Sequence, residues 1–194
     1  MKYRKLSHNE FLNMVNIVTN ELDAYLKENK LRIDYVVPNL RSGAVPAVYI
    51  ANILNLVKFA PIQVKHTLNK EGVSELKVLF NPFESLEINK EEPVFLLVEG
   101  KHYSGNSIKI CIDEIKKAYP KSKILYVSLI KAHGSLSFEK EVIFEKHALI
   151  CGREDMTEEE CKKLGLDSTC IIFPWENIEN EKEHPDDLIE NIYF

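Results

Sequence analysis

The sequence predicts an α/β fold with a mostly parallel central sheet flanked by helices, and three observations carry that prediction. Short aliphatic and β-branched runs alternate with helical patterns along the chain. The run at 93–98 (PVFLLV) is apolar at every position, as a strand covered on both faces must be. The loops that follow the strands are short, as in right-handed βα units. With 194 residues, 45% hydrophobic and 28% charged, the chain can bury one core of its own, which excludes a collagenous or wholly disordered polymer.

Residues 8–29 place Phe11, Leu12, Val15, Val18, Leu22 and Leu26 at helical spacing behind a Ser7-x-x-Glu10 capping pattern, so an amphipathic helix opens the chain. A run at 33–37 that stops at Pro38 and Asn39 predicts the first strand. The next helix covers 44–56, with Pro46 tolerated in its first turn. Residues 56–64 read as a second strand and 93–98 as a third. Between them, 67–92 are a polar stretch with a hairpin arm around 76–80, expected to be a mobile loop that serves either as a lid or as surface decoration. A helix over 107–118 turns Ile108, Cys111, Ile112 and Ile115 to one face and ends before Pro120. Residues 124–130 supply a fourth strand and 141–144 a fifth. In the segment beyond, Thr157 caps a helix over 158–164, and 179–194 form an acidic, solvated tail. The domain is therefore read as 1–178.

No apolar run approaches the roughly 18 residues of a membrane span, and the start MKYRKLSHNEFLN lacks the apolar core of a secretory signal, so no membrane partner and a cytoplasmic location are expected. From Arg153 onward 4 basic residues meet 13 acidic ones, which leaves 21 against 17 before it. The first three quarters are mildly cationic and suit a small anionic ligand, phosphate above all. The acidic end argues against a nucleic-acid partner. Cys111, Cys151, Cys161 and Cys170 form no CxxC pair and are expected as reduced thiols. A zinc set of His147, Cys151, Cys161 and Cys170 has spacings that fit no familiar knuckle.

Two loops carry candidate chemistry. In Asn39-Leu40-Arg41-Ser42-Gly43, an arginine fork flanked by small residues at a strand end can hold a diphosphate, or can be an ordinary turn. In Glu99-Gly100-Lys101-His102-Tyr103-Ser104-Gly105-Asn106-Ser107, hydroxyls and a glycine at a helix start can cradle a phosphate dianion, or simply cap the helix. GxxxxGK[ST], GxGxxG and GxSxG are absent, which removes the usual support for nucleotide hydrolysis, dinucleotide redox chemistry and serine hydrolysis.

These stretches resemble a known family. LRSGAVPAVYIANIL is similar to the RGGxxPAxxLAxxL segment of the type I purine phosphoribosyltransferases, xanthine-guanine and hypoxanthine enzymes among them. LLVEGKHYSGNSI stands where they carry LLVDDxxDTGxT, and SLIKAHG and Ile171-Ile172-Phe173-Pro174-Trp175-Glu176 follow in the family's order. The resemblance covers roughly 30–178 and implies a phosphoribosyltransferase-type fold with a small hood segment over 154–178.

It also implies transfer of a 5-phosphoribosyl group from phosphoribosyl pyrophosphate (PRPP) to a nucleobase, with 6-oxopurines suggested by Lys131 and the FPWE element. By that resemblance, Arg41, Ser42 and Gly43 contact the pyrophosphate, while Tyr103, Ser104, Gly105, Asn106 and Ser107 hold the 5-phosphate. Glu99 faces the ribose hydroxyls and the Mg2+ of the reaction, Lys131 donates to the base, and Ile171, Phe173 and Trp175 form its hood. Homodimers are common in the family. Departures accompany the matches. The second acid of the pair is Gly100, the acid before the Thr-Gly of the motif is Tyr103, and Lys101 and His102 replace an apolar pair, as candidates for a metal's charge and for a proton acceptor respectively. Cys170 stands where relatives often have an aromatic residue. The alternative is a module of the same fold that keeps phosphate recognition, has lost turnover, and binds PRPP or a nucleotide as sensor, regulator or subunit.

Overall fold

In a computed structural model, which describes residues 3–68, 74–153 and 155–177, the elements follow the order β1 (Tyr3–Lys5), α1 (His8–Glu28), β2 (Tyr35–Pro38), α2 (Ala44–Ile53), β3 (Gln63–Leu68), β4 (Ser74–Phe80), β5 (Val94–His102), α3 (Asn106–Ala118), β6 (Lys123–Ala132), β7 (Phe144–Cys151), α4 (Glu158–Leu164) and β8 (Cys170–Ile172). The residues 179–194 expected as a tail lie outside the described residues. The central sheet is wholly parallel, in the order β2-β5-β6-β7.

β5 is buried along nearly its whole length, which is why its sequence carries no alternation. Val94, Leu96 and Val98 face one core with α1 and α2, through Phe11, Val15, Val18, Leu22, Ala47 and Ile50. Phe95 and Leu97 face the other core, built from α3 with Ile108, Cys111, Ile112 and Ile115 and from Ile62, Val64 and Phe83 beneath the β3–β4 hairpin. α1 begins as its capping box requires: Ser7 Oγ accepts the Glu10 N–H at 3.2 Å and the Glu10 carboxylate accepts the Ser7 N–H at 2.8 Å.

Two strand expectations change. The regular strand expected over 56–64 begins only at Gln63, where it pairs antiparallel with β4. Residues 58–62 do run beside β2 in parallel, with Val36 N–H on Lys58 O, Ala60 N–H on Val36 O and Ile62 N–H on Pro38 O. Pro38 has no N–H, so the ladder bond due at that position is missing and the pairing stays as isolated bridges. The fifth strand is Phe144–Cys151, not 141–144. Residues 138–142 are a turn closed by Val142 N–H on Phe138 O, and the strand was hidden because Glu145, Lys146 and His147 interrupt its hydrophobic pattern.

β1 and β8 form a separate two-stranded parallel sheet that joins the start of the chain to the segment around Phe173. Strands of three residues carry no periodic signal, so this pairing was invisible in the sequence.

Because β5 is shared by both cores, truncation there is expected to be felt throughout. Leu96→Ala should cost about 2–5 kcal/mol of folding free energy, and urea unfolding of the two chains checks it.

Candidate functional site

β2 and β5 are neighbours, yet the helices that follow them pack on opposite faces of the sheet, α2 on one and α3 on the other. The chain therefore parts at the carboxyl ends of these two strands, and a crevice opens there. It is a cavity of about 630 Å³, lined by the 39–42 loop, by Val64, Lys65 and His66 of β3, by Glu99, Lys101, Tyr103, Ser104 and Ser107, and by Trp175, Glu176 and Asn177.

The 39–43 loop lies directly on the end of β5. Asn39 N–H donates to Val98 O at 3.0 Å and Gly43 N–H to Asn39 O at 2.8 Å, and the Leu40–Arg41 peptide is cis. A Cβ on Gly43 would stand 2.1 Å from Val98 O, and one on Gly100 would stand 2.3 Å from Ser42 Oγ, 2.7 Å from Ser42 O and 3.0 Å from the Phe173 ring. Gly100 is thus a packing requirement. Where the resemblance places a second acid, this chain has no room for a side chain.

Glu99 is buried beneath the loop. Its Oε2 accepts Asn39 Nδ2–H at 2.6 Å and its Oε1 the Gly100 N–H at 2.8 Å. Burial pushes its pKa up to about 7, against the pull of those hydrogen bonds. Asn39 is held in turn by Val64 N–H on its Oδ1 at 3.4 Å, so the hairpin, the loop and β5 meet at one carboxylate. Ser42 Oγ is buried beside it, close enough to help hold the carboxylate's charge but without a hydrogen bond of good geometry, and is free to turn to a ligand oxygen.

Three cations, Arg41, Lys65 and Lys101, line the same cavity. Arg41 lies close enough to Lys65 to help burial hold the lysine pKa below its usual value. Lys101 Nζ is 2.6 Å from Glu176 Oε2 and 5.5 Å from the centre of the Phe173 ring. Glu176 also accepts the Phe173 N–H at 2.8 Å, which ties the 173–177 turn to the end of β5. At the start of α3, Gly105 takes φ +90, and Ser104 Oγ accepts the Asn106 N–H at 3.3 Å. The first helical amides have no intrahelical partner and face the same crevice end.

Arg41, Ser42, Glu99, Lys101, Tyr103, Ser104, Ser107 and Trp175 are therefore brought together. Gly43, Gly105 and Asn106 support the two loops without lining the cavity. His102 is not in it: the ring is 2% exposed, with Nδ1 2.8 Å from Tyr126 Oη, and burial first, then the charges of His147 and Lys131, lowers its pKa to about 4. A neutral, enclosed imidazole off the crevice does not meet a substrate as a proton acceptor. Lys131 also lies apart, its Nζ 2.8 Å from Glu145 Oε1. Ile171 and Phe173 are core residues, Phe173 stacking on Trp175 at 4.8 Å and 9°. The sequence reading missed Lys65 and His66, which fall between the strand expected over 56–64 and the polar stretch 67–92 and belong to no motif, and missed Asn39 as the holder of Glu99. The four cysteines are free thiols, and they supply no ligand to the metal-capable cluster found among the described residues.

The donor set does not form a Mg2+ site by itself. It offers one buried carboxylate, already occupied by Asn39 and Gly100, and a second, Glu176, neutralised by Lys101.

The overall architecture has solved counterparts. A purine phosphoribosyltransferase from Pyrococcus horikoshii is 18% identical, with TM-score 0.62 over 92% of this chain and 96% of that one. The Helicobacter pylori xanthine-guanine-hypoxanthine phosphoribosyltransferase is 16% identical, with TM-score 0.65 over 94% and 99%. A hypothetical protein from Neisseria gonorrhoeae, solved with bound ppGpp, is 11% identical, with TM-score 0.69 over 97% and 96%. No family model and no curated protein matches the sequence. The chain has the type I phosphoribosyltransferase fold.

Two outcomes follow from Gly100 and Glu99. Gly100→Asp should destabilise the protein by at least about 2 kcal/mol through overpacking against the Ser42 backbone and should add no Mg2+ affinity, read by thermal unfolding and calorimetry. Glu99 favours its protonated form when folded, with a pKa of about 7 against 4.5. Its contribution is therefore full below pH 4.5, is lost as the pH rises towards 7 and stays level above. The stability of wild type relative to Glu99→Gln should fall across that window, which urea unfolding at a series of pH values measures.

Proposed function

We propose that this crevice binds PRPP and that the protein transfers its 5-phosphoribosyl group to a nucleobase, a 6-oxopurine by preference. The observation that carries this reading is the convergence of the 39–43 and 103–107 loops on the one buried carboxylate, Glu99. In such a transfer the bond from ribose C1 to the diphosphate breaks, a base nitrogen forms the new bond, and the charge that develops divides between a cationic ribose and a departing diphosphate.

On this reading the α3 start, with Ser104, Gly105, Asn106 and Ser107, receives the 5-phosphate through backbone amides and hydroxyls. Arg41 and the Ser42 hydroxyl take the diphosphate, and Lys65 adds charge from the hairpin side. Glu99, when ionised, faces the cationic ribose. Mg2+, expected from the resemblance, would be held by the ligand's own oxygens and water, since the protein offers it no vacant carboxylate pair. Trp175 closes the base end, and the resemblance assigns Lys131 to the base. In the structure Lys131 is held by Glu145, so that contact requires the ion pair to open.

A second reading is favoured by Gly100 and by the ppGpp-bound neighbour: a module of this fold that holds a nucleotide, guanosine polyphosphates included, without turnover. Turnover assays with PRPP and hypoxanthine, guanine or xanthine, beside calorimetry with PRPP, nucleoside monophosphates and ppGpp, separate the two. Product formation supports the transferase. Nucleotide binding with no product on any base supports the module.

Within either reading, Arg41→Ala should weaken PRPP by about tenfold or more and ribose 5-phosphate far less, since charge-assisted phosphate contacts contribute about 1.5–3 kcal/mol. Equal losses in calorimetry would remove Arg41 from the diphosphate site. For a transferase, Glu99→Gln should reduce kcat and leave phosphate affinity nearly unchanged, as steady-state rates and calorimetry would show.

A further inference from the structure

A second cluster of chemistry-bearing side chains lies away from the crevice, between the carboxyl end of β5 and the first half of β7. His102, Glu145 and His147 each bring one ligand atom within 4.8 Å of the other two. The cluster is enclosed, with side-chain exposures of 4% for Glu145 and 10% for His147, and the His102 residue is 2% exposed. His102 Nε2 is buried with no hydrogen bond of good geometry, the ring's one further polar neighbour being the Leu136 backbone. A buried imidazole nitrogen left unsatisfied is costly unless something binds it.

The surroundings match what a metal requires around its ligands. A ligating histidine is oriented by a hydrogen bond on its other nitrogen, and a ligating carboxylate by donors on its second oxygen. His102 Nδ1 has Tyr126 Oη at 2.8 Å and His147 Nδ1 has Ser128 Oγ at 2.6 Å. Glu145 Oε2 accepts the Phe138 N–H at 2.6 Å and the Ser137 hydroxyl at 3.1 Å. The atoms these supports leave over are His102 Nε2, His147 Nε2 and Glu145 Oε1.

Ser128 Oγ lies within reach of both His147 Nδ1 and Ile130 O, and His147 Nε2 is hydrogen-bonded to Glu145 Oε1 at 2.8 Å. A cation between those two atoms would replace that hydrogen bond, with the Nε2 proton released to water, and would bring positive charge to the carboxylate. Lys131 Nζ, 2.8 Å from the same oxygen, supplies part of that charge from one side.

We propose that His102, Glu145 and His147 form a binding site for a divalent ion of the zinc class. Two imidazoles and a carboxylate with a fourth position left for water are a set that Zn2+ takes at about 2.0–2.2 Å. The ion would join the carboxyl end of β5 to the first half of β7, with Lys131 displaced from Glu145. Metal binding by these three side chains is read without PRPP or a base, so the test below does not depend on the transferase reading, although both ask the Lys131–Glu145 pair to open.

The test uses the full chain freed of metal with a chelator, titrated with Zn2+ by calorimetry and with Co2+ by visible absorption. One equivalent should bind, with a tetrahedral Co2+ spectrum lacking thiolate charge-transfer bands, and Zn2+ should raise the unfolding temperature. His147→Ala should weaken binding at least tenfold and Ser128→Ala by about tenfold, while Cys161→Ser should leave it unchanged. Lys131→Met removes the competing ammonium without removing a ligand, so it should bind Zn2+ several-fold tighter even if the histidine variant does not fold. No binding by wild type, loss of binding in Cys161→Ser, or no gain in Lys131→Met would overturn the site.

Discussion

The crevice depends on two backbones meeting where neither can carry a side chain. Gly43 lies against Val98 O and Gly100 against Ser42, and in both places a Cβ would fall well inside contact distance. That approach brings Asn39 onto Glu99, closes the carboxylate off from water and sets Ser42 Oγ beside it. Phe173 completes the seam from the far side and takes Lys101 across its ring face. Burial, charge state and the shape of the cavity floor all follow from the one close contact.

The price of this arrangement is electrostatic. A carboxylate enclosed among apolar strands resists ionisation, and burial lifts the Glu99 pKa to about 7 against the hydrogen bonds of Asn39, Ser42 and the Gly100 and Lys101 amides. A second acid at position 100 would have to share that enclosure while displacing the Ser42 backbone. The absence of the acid and the packing of the loop are thus one fact, and the cations Arg41, Lys65 and Lys101 dominate the rest of the cavity. Such a cavity favours anions of high charge and depends less on carboxylate-held metal than the family pattern implies.

Polar groups along β5, β6 and β7 divide into two sets. Glu99 and Asn39 serve the crevice, while His102, Glu145, His147 and Lys131 turn to a separate enclosed network over β6 and β7. His102 and Lys101 are adjacent in sequence, yet one is sealed with Tyr126 and Phe138 and the other reaches the 173–177 turn. Two neighbours read in the sequence as candidates for one site therefore serve two different places.

The sequence by itself determined the alternation of strands and helices, the amphipathic faces of α1 and α3, the two phosphate-type loops and the ordered motifs that placed the chain in its fold, because each is a local pattern of period, cap or turn chemistry. It also located Arg41, Ser42, Glu99, Lys101 and Ser104 on those loops. Only the tertiary structure decided which of them meet. That Gly100 is a packing requirement, that Glu99 is buried under Asn39, that Lys131 is tied to Glu145 and that Lys65 comes to the mouth from the hairpin all rest on contacts between residues 14 to 60 positions apart or between separate elements. Such contacts arise from the parallel order β2-β5-β6-β7, and no local pattern records them because crossover connections bring together strand ends that are distant in the chain.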